Sequence, residues 1–257
     1  MLLAIDIGNT NTVIGIYDGD HLIHHWRLRT EKDATEDEFL LLIKSLFAFD
    51  GAKVEGITGT IISCVVPPMV NTLESFCTKY LDHAPLWVHP ATFKEMPILY
   101  DDPKEVGADR IVNAVAAFHK YRTSIVVVDF GTATTFDCIS DEGAYLGGAI
   151  SPGILISSEA LFQKASKLPR VEIFAVPKCV IAKDTVGSMN AGIIYGYAGL
   201  VDGIVRRIKK EMAPVPKVIA TGGLAELVAG VAETIEVVEP HLTLQGLRII
   251  YDKAQKE

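Results

Sequence analysis

Apolar and polar positions follow different rhythms along the first fifty residues of this chain. Leu2 to Ile7, Val13 to Tyr17 and Leu22 to Arg29 read as three short strands, the last two joined by a turn at Asp18-Gly19-Asp20. From Thr35 the period lengthens. Thr35 and Glu38 form a capping-box pair, and Phe39, Leu42, Ile43, Leu46 and Phe47 recur at helical spacing until Asp50-Gly51 ends the run. Gly59 to Pro68 reads as a buried strand stopped by prolines, and Arg110 to Tyr121 as a helix with Ile111, Val115 and Phe118 on one side. Strands alternating with helices predict an α/β fold.

From Ser124 the opening pattern returns: an apolar strand, an aspartate, a glycine two residues on, a Thr-rich loop, a second strand, an acidic turn and a third strand. Asp6 and Asp129, Gly8 and Gly131, Thr12 and Thr135, and Asp18 and Asp141 are each 123 positions apart. Turns are rich in Gly and Asp in any protein, so a single shared Asp-x-Gly carries little weight. Four positions at one spacing indicate a duplication. Two domains are expected, residues 1–122 and 123–257, with their matching loops facing a shared cleft.

A glycine lets backbone N–H groups turn toward an anion at close range, and Thr and Asn side chains add donors, so such a loop suits phosphate. The strand-end aspartate has the wrong sign for phosphate but the right one for a cation bridging to it, as Mg²⁺ does through one or two carboxylates plus water. Neither G-x-x-x-x-G-K-[ST] nor G-x-G-x-x-G occurs in the chain, which sets aside the two commonest nucleotide motifs. A third element, Thr221-Gly222-Gly223, follows a short apolar strand and precedes a predicted helix; by itself it reads as an ordinary strand-to-helix turn.

Composition narrows the partners. The 24 Lys+Arg against 32 Asp+Glu leave a net charge of -8, with no dense basic cluster, so nucleic acid is not expected as a partner. Cys64, Cys77, Cys138 and Cys179 lack metal or redox spacing and read as small core residues in a reducing compartment. No basic leader precedes the first apolar stretch and no run reaches the roughly 18 apolar residues of a membrane span, so a cytoplasmic protein without membrane contact is expected. His21, His24 and His25 lie on a strand whose neighbours face opposite ways, which argues against a metal site.

Taken together, Asp6-Ile7-Gly8-Asn9-Thr10-Asn11-Thr12, Asp129-Phe130-Gly131-Thr132-Ala133-Thr134-Thr135 and Thr221-Gly222-Gly223 resemble the two phosphate motifs and the adenosine motif of the actin-like and sugar-kinase ATPase superfamily. More closely, the chain resembles the type III pantothenate kinases, through Gly107-Ala108-Asp109-Arg110, residues 184–199 and the closing stretch 242–251. The resemblance implies two ribonuclease-H-like (actin-like) domains with a nucleotide cleft between them. The implied activity is ATP-dependent phosphorylation of pantothenate to 4'-phosphopantothenate, the first step toward coenzyme A.

The same resemblance implies the roles of single residues. ATP would meet Asp6, Ile7, Gly8, Asn9, Thr10, Asn11, Thr12 and Val13, then Gly131, Thr132, Gly222 and Gly223. Pantothenate would meet Tyr100, Gly107, Ala108, Asp109, Arg110 and Thr185, with Asp109 as the base that takes the hydroxyl proton. Asp6 would orient Mg²⁺, and Asp129 would bind a monovalent cation, K⁺ or NH₄⁺. A homodimer is implied, built in part on the helical region around 196–203. Read locally, Tyr100 is a half-buried loop aromatic, the Lys183-Asp184-Thr185 stretch an N-cap, Asp109 a helix N-terminal charge and Arg110 a surface ion pair. An ATP-binding accessory protein on the same scaffold, or a sugar kinase, would share the nucleotide motifs but not the acceptor set.

Overall fold

The structure is a computed structural model that describes residues 1–51, 54–89 and 96–256. The chain divides into two compact units. Met1–Met96, Tyr100–Ala116 and Leu242–Glu257 form the first, and Pro97–Leu99 with Ala117–His241 the second.

In the first unit, β1 (Leu2–Ile7), β2 (Asn11–Asp18) and β3 (His21–Arg29) form an antiparallel meander, as the alternation predicts. β4 (Gly59–Cys64) and β5 (Leu86–Trp87) extend the sheet on the other side of β1 by parallel pairing, giving the order β3-β2-β1-β4-β5. The strand expected over Gly59 to Pro68 stops at Cys64. Pro67 and Pro68 lead instead into α2 (Met69–Phe76), which has Pro68 as its N-cap, because proline at a helix start gives up an N–H that would be unpaired anyway. The capping box is formed: Thr35 Oγ1 accepts from Glu38 N at 3.3 Å, and Glu38 Oε2 accepts from Thr35 N at 2.9 Å, at the head of α1 (Glu36–Asp50). Gly51 closes that helix at φ 74°. Phe39, Ile43 and Phe47 then reach Leu3, Ile5 and Ile14 of the sheet and Leu73 and Phe76 of α2.

α3 (Ala108–Tyr121) follows, and then the second sheet. Its strands are β6 (Ile125–Phe130), β7 (Ala133–Ile139), β8 (Tyr145–Pro152), β9 (Lys217–Gly222) and β10 (Val237–Val238). Their order, β10-β9-β6-β7-β8, is the same topology as the first sheet, with β6 in the place of β1 and β9 in the place of β4. The burial pattern along β6 repeats that along β1 residue for residue, with the aspartate as the single half-buried position. α4 (Ile154–Lys164), the long α5 (Thr185–Glu211) and the short α6 (Ala225–Ala229) belong to this unit; Ile194, Val201 and Val205 of α5 cover Val126, Val128 and Val218.

α7 (Leu242–Ala254) returns to the first unit, where it packs on β1, β2 and β4. Two glycines make room for it. A Cβ on Gly59 would collide with the Tyr251 hydroxyl, and one on Gly246 would collide with the Val112 carbonyl of α3. Thr243 Oγ1 donates to Asn113 Oδ1 at 2.8 Å beside that contact. The backbone approach at Gly246 admits no side chain, so Gly246→Ala is expected to lower stability by about 1–3 kcal/mol, the usual cost of overpacking. A urea midpoint equal to that of the wild type would refute the close approach.

Candidate functional site

Both hairpin loops close on themselves in the same way. Gly8 N donates to Asn11 O at 3.0 Å after β1, and Gly131 N donates to Ala133 O at 3.1 Å after β6. Asn9, Thr10, Gly131 and Thr132 stand exposed at the tips, while Asp6 and Asp129 sit half-buried one residue before each strand end. The second loop is one residue shorter. Ile7 pairs with Thr12, whereas Phe130 pairs with Thr134, so the structural counterpart of Thr12 is Thr134 and not the Thr135 that equal spacing selects. A fixed sequence offset cannot register a one-residue deletion inside a turn; only the strand pairing reveals it.

Each loop is pinned by the end of its third strand. Thr30 N donates to Thr10 O at 3.0 Å, Thr30 Oγ1 donates to Gly8 O at 2.7 Å, and Thr12 and Thr30 share a hydroxyl contact at 3.0 Å. In the second unit Gly153 N donates to Thr132 O at 3.1 Å, and a Cβ on Gly153 would collide with that oxygen. Thr30 and Gly153 are supporting residues that the motif reading passed over. Their spacing matches that of the two aspartates, so the repeat itself carried the signal. Because glycine stands where Thr30 would, the buried Thr134 Oγ1 is left without a protein partner.

In the second unit the loop after β6 and the Thr221-Gly222-Gly223 element come together. Asp129 lies in register with Thr221 on β9, and Gly222 holds φ 94° with its missing Cβ only 2.5 Å from Asp129 Oδ1. Any side chain there would both strain the backbone and displace the carboxylate. Thr221 Oγ1 donates to Glu239 O at 2.8 Å, which ties the element to the residue after β10.

Gly107, Ala108, Asp109 and Arg110 lead into α3 in the first unit. A Cβ on Gly107 would lie 2.6 Å from Asp109 Oδ1, so the glycine is what lets the carboxylate fold back over the chain. Asp109 Oδ1 accepts from Arg110 N at 2.8 Å, and burial pushes its carboxyl above the usual aspartate range against the opposing pull of that N–H and of the Arg110 guanidinium. Arg110 is 8% exposed, which corrects the surface ion-pair reading. Tyr100 is half-buried on the preceding loop. Asp184 is the N-cap of α5, accepting from Gly187 N at 2.8 Å, so Thr185 is the first helical residue and its hydroxyl is outside the cap. Thr185 lines a groove of about 1120 Å³ on the second unit, together with Ser157 and Leu161 of α4 and Ser188, Gly192 and Gly196 of α5.

Among the described residues no cluster of three or more His, Cys, Asp or Glu could hold a metal ion. The histidines of β3 follow the strand alternation, with His21 and His25 exposed and His24 stacked on Trp26 at 5.8 Å. No helix among the described residues is long and apolar enough to cross a membrane.

A family profile described as type III pantothenate kinase matches residues 2–207. A protein of that name from Desulfatibacillum aliphaticivorans is 64% identical over 253 residues, which is 98% of each chain. Among solved structures, a conserved putative Baf family transcriptional activator from Campylobacter jejuni superposes with a TM-score of 0.62 at 20% identity, covering 99% of this chain and 100% of its own. A putative N-acetylglucosamine kinase from Porphyromonas gingivalis gives 0.51 at 12% identity, covering 98% and 99%. These distant structures share the two-domain α/β architecture.

The raised carboxyl of Asp109 has a consequence for stability. A group whose folded-state pKa exceeds its unfolded value of about 3.9 favours folding only below that value, and the benefit is lost as pH rises through the folded pKa. At pH 7, above the unfolded value, the raised pKa of Asp109 is therefore a cost. Asp109→Asn, which keeps an acceptor for Arg110 N, is expected to raise the melting temperature at pH 7, with the gain shrinking toward pH 4. A mutant that melts lower at pH 7 would contradict the burial assigned to this carboxylate.

Proposed function

The chain belongs to the type III pantothenate kinase family, and on that membership we propose a reading of its site as a phosphoryl-transfer centre. The protein phosphorylates pantothenate with ATP, giving 4'-phosphopantothenate, in coenzyme A biosynthesis.

The observation that carries the mechanism is the half-buried Asp109 at the head of α3, folded back over Gly107 with its carboxyl raised by burial. A carboxylate so placed takes the proton from the 4'-hydroxyl as that oxygen bonds to the γ-phosphorus and the bridge to the β-phosphate breaks, releasing ADP. The raised pKa makes it a stronger base than an exposed aspartate, although phosphoryl transfer depends more on alignment than on basicity. Arg110 offers paired donors to the pantothenate carboxylate. Tyr100, Gly107, Ala108 and Thr185 complete the acceptor set, Thr185 with a hydroxyl that capping does not consume. Asp6, Ile7, Gly8, Asn9, Thr10, Asn11, Thr12 and Val13, with Gly131 and Thr132, serve the phosphates, Asn9, Thr10, Gly131 and Thr132 from the exposed loop tips, and Gly222 and Gly223 serve the adenosine.

The donor set fits the two cations of this reading. Asp6 suits a Mg²⁺ that arrives on ATP, since such an ion needs one carboxylate and keeps its waters. Asp129 suits K⁺ or NH₄⁺ in the space that Gly222 leaves open. Both ions supply positive charge against the phosphates. A homodimer is supported by the exposed Leu155, Leu161, Phe162 and Ile181 and by Gly192, Gly196 and Gly199, which face open space on α5. Exposed helical glycine costs about 1 kcal/mol relative to alanine, and close approach of a second copy would offset that cost. A cytoplasmic location accords with a soluble metabolic substrate. The accessory-protein alternative predicts ATP binding without transfer and has no use for Gly107, Asp109, Arg110 and Thr185 as an acceptor set.

An ADP-release assay over pantothenate, sugars and no acceptor tests the reading, with release expected for pantothenate alone. Asp109→Asn should lose about 10²- to 10⁴-fold in kcat with ATP affinity retained. Arg110→Ala should instead raise the pantothenate KM roughly thirtyfold, as loss of a charged hydrogen bond of about 2 kcal/mol requires. Full activity of Asp109→Asn would remove it as the base. Activity is further expected to collapse in Na⁺-only buffer and return with K⁺ or NH₄⁺; equal rates in all three would remove the Asp129 cation site.

A further inference from the structure

Asp137 is a fully buried carboxylate on β7 that none of the roles above employs. Thr135 Oγ1 donates to its Oδ2 at 2.9 Å, and the buried Tyr145 hydroxyl at the start of β8 donates to its Oδ1 at 2.7 Å. Residues two apart on a strand share a face, so Thr135 and Asp137 stand side by side. Across the sheet Thr135 is in register with Asp129 of β6, and Asp129 is in register with Thr221 of β9. Asp129 is thus flanked by a threonine on each side, through pairings made wholly inside the second unit.

A threonine hydroxyl carries one proton and two lone pairs. Thr221 Oγ1 gives its proton to the Glu239 carbonyl, which can only accept, and Thr135 Oγ1 gives its proton to Asp137. With both protons directed elsewhere, these hydroxyls have lone pairs left for Asp129. Acceptor oxygens beside a carboxylate repel it, whereas K⁺ is held by such oxygens in place of its hydration shell. An ammonium ion would donate to the same atoms.

We propose that Asp137 is a positioning residue for the monovalent-cation site at Asp129: by taking the Thr135 proton it keeps the Thr135 oxygen available as a ligand beside that carboxylate. The inference rests on the assignment of the cation to Asp129 made above. Thr135 and Thr221 then add two hydroxyl oxygens to the one carboxylate.

Asp137 and Asp129 compete for one proton. A Thr135 hydroxyl without Asp137 would turn to Asp129, since a hydrogen bond to a carboxylate is about twice as strong as a neutral one. That bond would take the place of the ion. A second carboxylate on the same face draws the proton away. Diagonal neighbours across an antiparallel pair lie about 7–8 Å apart, so Asp137 also adds negative charge near the ion. As an anchor between β7 and β8 alone, Asp137 would affect stability and leave the response to K⁺ untouched.

Asp137→Asn reverses the proton pattern. Its amide oxygen accepts from the Tyr145 hydroxyl, its N–H₂ donates to Thr135, and the Thr135 proton turns to Asp129. Melting of the full chain, with Mg²⁺ and a non-hydrolysable ATP analogue, is followed as NaCl is replaced by KCl at constant ionic strength, a readout that needs no turnover. The wild type is expected to melt higher with K⁺. The K⁺ concentration at half effect should rise about 10- to 100-fold in Asp137→Asn, the usual cost of losing the partner behind a metal ligand. Half-maximal phosphorylation of pantothenate should need the same excess of K⁺. Thr135→Val should match Asp137→Asn, whereas Thr135→Ser, which retains the oxygen, should stay within about threefold of wild type. An Asp137→Asn that melts lower at every K⁺ concentration with an unchanged half-effect concentration overturns the proposal. Should that variant fail to fold, a wild-type K⁺ response in Thr135→Val overturns it equally. A K⁺ response lost in Asp129→Asn but intact in Asp137→Asn removes the positioning role alone, while a wild type indifferent to K⁺ in both melting and rate removes the Asp129 cation site and the proposal with it.

Discussion

A carboxylate at the tip of a buried strand must be given room, and the whole arrangement of this protein follows from granting it twice. Asp6 is flanked in register by Val13 and Ser63, and Asp129 by Thr135 and Thr221. In each sheet the parallel neighbour opposite the aspartate is a small hydroxyl residue. In the second unit the next residue on that neighbour is Gly222, whose absent Cβ would crowd the carboxylate oxygen. Larger residues there would push each aspartate out of its sheet or force it to neutralise. The repeat is therefore deeper than the loops: it extends to the strands beside them and to what those strands leave out.

The overall charge of -8 works against a polyanionic substrate, and capture of ATP has to rely on local features. At physiological ionic strength charge is screened over about 8 Å, so exposed loop backbone outweighs the distant acidic surface once the ligand arrives. Asp109 obeys the same local rule. Burial raises its carboxyl while the N–H and guanidinium of Arg110, one residue on, restrain the rise.

Much of this was legible in the sequence because its signals are local. The meander Leu2 to Arg29, the capping box at Thr35 and Glu38 and the paired Asp-x-Gly loops each rest on a few adjacent residues, and each is present. What escaped depends on partners far along the chain. The one-residue shortening of the second loop shows only in the pairing of Phe130 with Thr134. Thr30 gains its place from bonds to residues about twenty positions earlier. The cap at α5 falls to Asp184, leaving Thr185 free of that duty, and Arg110 is buried although an arginine at a helix start reads as exposed. The long-range grip of Glu239 on Lys120 spans 119 positions, with no periodic trace.

The return of α7 to the first unit also bears on how the chain acquires its structure during synthesis. β1, β2 and β4 leave the ribosome early, yet the helix that covers them, with Leu244 against Gly15 and Tyr251 against Gly59, is made only after the entire second unit. Through most of translation the first sheet therefore has an apolar face without its cover, the condition under which nascent chains aggregate or recruit chaperones. The second unit from Ala117 to His241 is nearly continuous and completes its own core of β6, β9 and α5 first. In this protein the amino-terminal sheet is the first to be made and the last to be finished.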